Sequence, residues 1–307
     1  MRIAAVQMTA ELADTEKNIN YARSLVKQAF HAGAEWVILP EFFTTAMGYS
    51  RKMLSCALPV DGAALEMMKE LSREHNGVVG GSFLSIRGMD RYNTFALVFP
   101  DGNIFYHDKD QPTMWENCYY IGGDDNGIFE TPAARVGAAL CWEFIRTRTA
   151  NRLRGKVDLV VGGSCWWTVP DRRLPGFSRG LHKKNARLSG SAPARFARLT
   201  GVPVVHAAHA GEFECDMPLL PGFRYRSRFL GETQIVDGTG KVLARMTVDD
   251  GAGFIMADIE TGSKGSPREK IPGKFWIPDL PFRLSFAWWY QNLHGRFFYR
   301  LKKKKWS

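Results

Sequence analysis

The sequence predicts an α/β fold with a mixed sheet. Short apolar runs alternate with stretches of helical periodicity, the pattern of strands linked through helices. One pair of runs is separated only by Pro100-Asp101-Gly102-Asn103, a turn signal that predicts a hairpin and so places antiparallel pairing in the same sheet. With 307 residues and 45% hydrophobic content the chain can bury a large core, and no linker rich in Ser, Gly or Pro divides it.

Ile3 to Met8 reads as the first strand, and the early acids Glu11, Asp14 and Glu16 exclude the layout of a secretory signal. A helix follows from about Thr15 to Ala32, with Asp14 or Thr15 as N-cap and Gly33 as its stop; Ile19, Ala22, Val26, Ala29 and Phe30 share one face. The next cycle is a strand over Trp36 to Leu39, a helix around Ala63 to Glu74 ended by Asn76-Gly77, and a strand from Val78 to Ser85. Asn93 to Phe99 and Ile104 to Tyr106 form the hairpin. Val136 to Leu140 is a further strand, followed by a basic helix, a strand at Leu159 to Val161, an arginine-rich insertion, a helix near Ala194 to Leu199 and a strand from Val202 to Ala207.

Three apolar runs end in residues that thiol chemistry can use. Val136-Gly137-Ala138-Ala139-Leu140 delivers Cys141, Trp36-Val37-Ile38-Leu39 leads into Glu41, and Ile104-Phe105-Tyr106 leads through His107 and Asp108 to Lys109. Cys165 is a rival thiol, because Gly162-Gly163-Ser164-Cys165-Trp166-Trp167 also follows an apolar strand and also carries tryptophan after cysteine. Local pattern does not separate the two.

Leu39-Pro40-Glu41, Lys109 with Pro112-Thr113 and Glu116 behind it, and Cys141-Trp142-Glu143, in that order, resemble the nitrilase superfamily of carbon-nitrogen hydrolases. Arg2 to Met8 and Gly231 to Gly240 extend the resemblance over roughly residues 1 to 260. It implies a four-layer αββα sandwich and a cofactor-free thiol hydrolase of a nitrile or amide, with Cys-Trp-Glu leaning toward the nitrilase branch. Amidase, carbamoylase and acyltransferase activities are the near alternatives, and a catalytically silent scaffold is the distant one.

The resemblance also selects Cys141 as nucleophile. A thiol with an ordinary pKa near ~8.5 needs a proton acceptor, and Glu41 would serve if a desolvated pocket raised its basicity. Lys109 would stabilise the charge that develops on attack, with the Trp142 amide as a second donor. Glu116 would hold Lys109 or orient the hydrolytic water. Glu143 either faces the substrate or pairs with Arg146, Arg148 or Arg152, while Trp142, Glu143, Cys165 and Trp166 are expected to form the substrate pocket. His206 and His209 form an HxxH without further ligands, and no phosphate-cradling glycine loop is present, so neither metal nor organic cofactor is expected.

The five cysteines, an odd number without zinc-type pairing, suit a reducing compartment, and a cytoplasmic location is expected. No uninterrupted apolar run reaches the ~18 residues of a spanning helix. The net charge of +10 is uneven. We divide the chain into a hydrolase domain, residues 1–275, and an aromatic, basic tail, residues 276–307. In the tail, Arg283, Arg296, Arg300 and Lys302 to Lys305 are interleaved with Phe286, Trp288, Trp289, Tyr290, Phe297, Phe298, Tyr299 and Trp306. A helix there would align Phe286, Tyr290, Leu293 and Phe297. Such a tail suits an anionic membrane surface, from which a lipophilic substrate would be drawn, or a homo-oligomer interface; no nucleic-acid motif accompanies the charge. The basic stretch Arg172 to Arg198 either extends that surface or suits an anionic substrate.

Overall fold

The computed structural model describes residues 1–168, 179–217, 222–262, 269–277 and 280–303. Its first half comprises β1 (Arg2–Met8), α1 (Thr15–His31), β2 (Trp36–Ile38), β3 (Leu58–Pro59), α2 (Ala63–His75), β4 (Val78–Arg87), β5 (Asp90–Val98) and β6 (Ile104–Asp108). The second half comprises β7 (Ile128–Glu130), β8 (Arg135–Leu140), α3 (Thr147–Leu153), β9 (Leu159–Ser164), α4 (Arg179–Thr200), β10 (Val204–Asp216), β11 (Arg224–Val236), β12 (Val242–Thr247), β13 (Gly253–Asp258) and α5 (Phe282–Lys303).

The strands form one hydrogen-bonded network in the order β6-β5-β4-β2-β1-β10-β9-β8-β7. It folds into two layers, because β1 and β10 pair only near their ends, at Gln7 with Ala208 and Met8 with His209. The inner faces meet through Ile3, Ala5, Ile38 and Leu97 on one side and Leu140, Val161, Val205 and Ile235 on the other. α1 and α2 cover the outer face of the first layer, and α4 packs its Leu188, Phe196 and Leu199 in the core beyond the second. The architecture is therefore the expected αββα sandwich with mixed pairing.

Local chemistry explains most boundaries. Asp14 caps α1 by accepting from the Lys17 amide at 3.2 Å, and Asn76 ends α2 in the left-handed conformation. The hairpin forms as expected, with Val98 opposite Ile104. Two elements run longer than expected. α4 begins at Arg179 rather than near Ala194, because Pro193, which argues for a helix start, lies inside it. β10 continues beyond Ala207 to Asp216 as a two-stranded ribbon with β11, where Glu214 and Asp216 pair with Arg224. Arg172, Lys304, Lys305 and Trp306, invoked for the basic surface and the tail, lie outside the described residues.

α5 docks on the body through a narrow face. Asn292 Oδ1 accepts from the Met114 amide at 3.1 Å and from Asn117 Nδ2 at 2.7 Å, and the Tyr299 hydroxyl accepts from the Arg91 amide at 3.0 Å. Gly295 permits this approach, since a β-carbon there would lie 2.6 Å from Asn117 Cβ. The opposite face of α5 is open: Phe286, Leu293 and Phe297 are 55%, 61% and 64% exposed.

Candidate active site

β2, β8, β9 and β10 run parallel, and β6 runs with them because two antiparallel steps separate it from β4. The residues that follow these strands therefore gather at one end of the sandwich, where α/β folds present ligand sites. Glu41 follows β2, Lys109 follows β6, Cys141 follows β8 and Cys165 follows β9. Gly163 lets the Glu41 turn close in, because a β-carbon there would meet Pro40 Cα at 3.0 Å.

Strained backbone recurs beside these residues. Cys141 has φ +51°, Phe42 next to Glu41 has φ +54°, and Met114 two residues before Glu116 has φ +54°. Such conformations persist only where the surroundings hold them. The Phe42 amide donates to Ser82 Oγ at 3.2 Å, the Met114 amide to Asn292, and the Leu140 amide to Glu143 Oε2 at 2.8 Å. Cys141 opens a short 3-10 turn to Ile145, so the Trp142 amide has no acceptor within that turn.

The Glu41, Lys109, Glu116 and Cys141 side chains are all buried. The Lys109 ammonium donates to Glu41 Oε1 at 2.9 Å and to Glu116 Oε2 at 2.7 Å, leaving its third proton for another acceptor. One carboxylate oxygen each from Glu41 and Glu116 and the Cys141 sulfur lie within 4.8 Å of one another. Three such ligands could hold a metal, but Lys109 already supplies the cation between the two carboxylates.

Burial raises Glu41 above the usual carboxylate range, partly offset by Lys109, so it is a better proton acceptor than a solvated glutamate. Burial, reinforced by Glu41, pushes the Cys141 thiol well up, so it rests protonated. For Lys109 burial opposes the charge, yet Glu116 and Glu41 outweigh it and hold the amine protonated. Glu116 Oε2 also accepts from the Thr113 amide at 2.8 Å and from the Tyr120 hydroxyl, whereas its Oε1 has no hydrogen-bond partner among the described residues.

Several groups support the site in ways the sequence reading did not assign to them. Asn93 Nδ2 donates to Glu41 Oε1 at 2.8 Å, and the one available signal was a polar residue inside a strand. His209 Nε2 lies 2.8 Å from the Glu41 carbonyl and Tyr120 holds Glu116. Cys165 contributes its amide, which donates to Glu41 Oε2 at 2.9 Å.

A cavity of about 530 Å³ opens at Cys141, with Trp142, Trp166, Trp115 and Trp167 in its wall. Of the four expected pocket residues, Trp142 and Trp166 line it, while Glu143 and Cys165 do not. Glu143 is turned away because a buried network claims it: His107 Nε2 lies at 3.0 Å, the Asp110 amide at 3.2 Å and Arg152 at 3.6 Å. Burial opposes its charge, but His107 and Arg152 hold it far below the usual carboxylate range. Glu143 thereby ties the turn carrying Cys141 to the segment carrying Lys109.

Residues 2–266 match the family model described as Carbon-nitrogen hydrolase. The aliphatic nitrilase of Rhodococcus rhodochrous is 24% identical over 278 residues, covering 84% of this chain and 75% of that protein. The omega-amidase NIT2 of Bos taurus is 25% identical over 285 residues, covering 88% and 92%. Among solved structures, a CN-hydrolase superfamily protein from Xanthomonas campestris with an arsenic adduct in its active site matches with a TM-score of 0.66 at 18% identity, over 87% of this chain and 92% of that one. A mutant amidase from Nesterenkonia sp. AN1, with acrylamide added at its active-site cysteine, matches with a TM-score of 0.66 at 18% identity, over 85% and 93%. These structural likenesses carry the fold.

Proposed function

The chain belongs to the carbon-nitrogen hydrolase family, and from that premise we propose that Cys141 is the nucleophile with which it hydrolyses a nitrile or amide. The observation that carries this reading is the convergence of the Glu41 and Glu116 carboxylates and the Cys141 sulfur around the Lys109 ammonium. Cys141 gives its proton to Glu41 as sulfur attacks the carbon. The third Lys109 proton and the Trp142 amide meet the negative charge that forms on oxygen or nitrogen. With an amide, protonated Glu41 returns the proton to the leaving nitrogen and ammonia or an amine departs. With a nitrile, addition gives a thioimidate, to which a first water adds and from which ammonia leaves, giving the same thioester. Water then cleaves the thioester, oriented by the open Glu116 Oε1 and deprotonated by Glu41, and the acid is released.

Intact-mass and peptide mass spectrometry after exposure to a panel of short amides and nitriles tests the assignment. An acyl adduct on the Cys141 peptide is expected. An adduct on Cys165, or turnover that survives Cys141→Ala, overturns it.

We propose further that residues 276–307 form a peripheral membrane element on a 1–275 hydrolase body. Among the described residues no helix is long and apolar enough to cross a membrane. α5 instead exposes Phe282, Phe286, Tyr290, Leu293, Phe297 and Leu301 along one face, and its 22 residues include no acid. Stripe-to-stripe packing of two copies would oppose Arg283, Arg296 and Arg300 with their own kind, which favours anionic lipid as the occupant. Co-sedimentation with anionic vesicles, lost in Leu293→Asp/Phe297→Asp, is the expected result; vesicle-independent dimerisation lost in the same variant favours subunit packing. A homo-oligomer would then use another face, which sedimentation velocity without lipid checks. The five free, buried cysteines support a reducing, cytoplasmic compartment and the inner membrane leaflet.

A further inference from the structure

Phe282, Phe286 and Tyr290 belong at once to the exposed stripe of α5 and to the wall of the Cys141 cavity. From this shared wall we infer that the substrate is an uncharged primary amide or nitrile at the head of a long apolar chain, taken directly from the membrane surface. The inference rests on the reading of Cys141 as nucleophile.

The described wall is mostly aromatic and aliphatic, with Thr113 Oγ1, Trp115 Nε1 and Gln291 Oε1 as buried polar atoms that have no hydrogen-bond partner among the described residues. Trp115 and Trp167 stack with centroids 4.4 Å apart, and Trp142 and Trp166 lie 5.9 Å apart around the sulfur end. The Trp166 indole N–H is satisfied by Asn185 Oδ1 at 3.1 Å, so the ring can meet an apolar ligand without exposing an unmet donor. Leu181, Leu284 and Ala287 complete the surface. Among the described residues lining the cavity, Arg283 is the one with a charged side chain, and it lies on α5. Among the described lining residues, a substrate with a second carboxylate or an ammonium group would find no deep counter-charge and would lose its hydration on binding.

Continuity supplies the route. From the Cys141 sulfur the wall passes along the tryptophans to Phe286 and Tyr290, whose rings stack at 6.3 Å, and then to Leu293 on the open face. A chain lying in the leaflet that α5 meets could slide its headgroup along this path while its tail stays among apolar side chains. Apolar burial gains about fourfold in affinity per methylene at full burial, so chain length is the quantity that reports the path.

The test measures kcat/KM for full-length protein on primary amides and nitriles from four to sixteen carbons, the longer ones carried in phosphatidylcholine vesicles containing phosphatidylglycerol. A rise of at least about tenfold for every four added carbons is expected, reduced by high salt and by vesicles of phosphatidylcholine alone. Ala287→Trp, which narrows the channel between the tryptophan wall and α5, should lower the ratio of long-chain to short-chain kcat/KM at least about tenfold. A flat or falling dependence on chain length, or preference for a dicarboxylic monoamide, overturns the inference while leaving acylation of Cys141 by short amides intact. Absence of any adduct on Cys141 overturns the underlying reading as well.

Discussion

At Lys109, three enclosed charges share one small volume, and their balance makes the residue both structural and chemical. Lys109→Met leaves Glu41 and Glu116 facing each other without their cation. Breaking a buried pair in this way costs roughly 3–5 kcal/mol. Urea denaturation should report a loss of that order, alongside loss of turnover. Glu41→Gln is milder in shape but removes the proton acceptor, so kcat should fall by roughly 10²–10⁴, with some loss of stability because its amide group faces donors that the carboxylate accepted from. Cys165→Ala should keep substantial activity, since Cys165 serves Glu41 through its amide. These site residues were legible because each follows an apolar run, and in such a position a carboxylate, ammonium or thiol is conspicuous. Asn93 and Tyr120 were not, because a polar group inside an apolar stretch looks like an ordinary satisfied core residue until its partner is known. Glu143 left two readings open, and only the folded position of His107, 36 residues earlier, decides between them.

Among the elements, α5 is where local pattern and tertiary context part company. The spacing of its aromatic residues gave the helix and the stripe, but nothing in that spacing told which face would dock. The docking face runs from Leu284 to Tyr299 and includes Asn292 and Gly295, neither of which reads as a core residue. Gly295→Ala should lift α5 from Asn117, lowering both kcat and the melting temperature, because Asn292 then loses the Met114 amide at the head of the Glu116 turn. Asn292→Ala should act in the same direction by leaving that buried N–H unmet, at roughly 1–3 kcal/mol. Thermal melts and turnover on a short amide measure both. α4 teaches a similar lesson: Pro193 is a poor residue inside a helix, and packing of Leu188 and Phe196 outweighs it.

Across the whole molecule, buried histidines set how stability responds to pH. His206 and His209 are pushed down to about 4 by burial, so the unfolded chain takes up protons more readily, and their stabilisation is complete above ~6.5 and lost as pH falls toward 4. His107 behaves oppositely. Burial resists its charge, but Glu143 and Asp125 lift it to about 9, so its contribution is full below ~6.5 and lost as pH rises through 9. Urea denaturation across this range should give a maximum near neutrality, and His107→Gln should remove a decline of roughly 3 kcal/mol on the alkaline side. The apolar strand runs alternating with helices made the α/β class legible in the sequence, whereas the αββα layering came only from the family resemblance, because periodicity does not say how strands are shared between layers. The Asn292 clamp has a further consequence, in the order of synthesis. It joins positions 178 residues apart, and α5 leaves the ribosome after every residue it holds. The Glu116 turn of a nascent chain therefore lacks its clamp until α5 emerges. A ribosome-stalled chain ending before α5 would carry the Glu41, Lys109, Glu116 and Cys141 side chains yet an unfinished site, so the thiol should become competent only when α5 has been made.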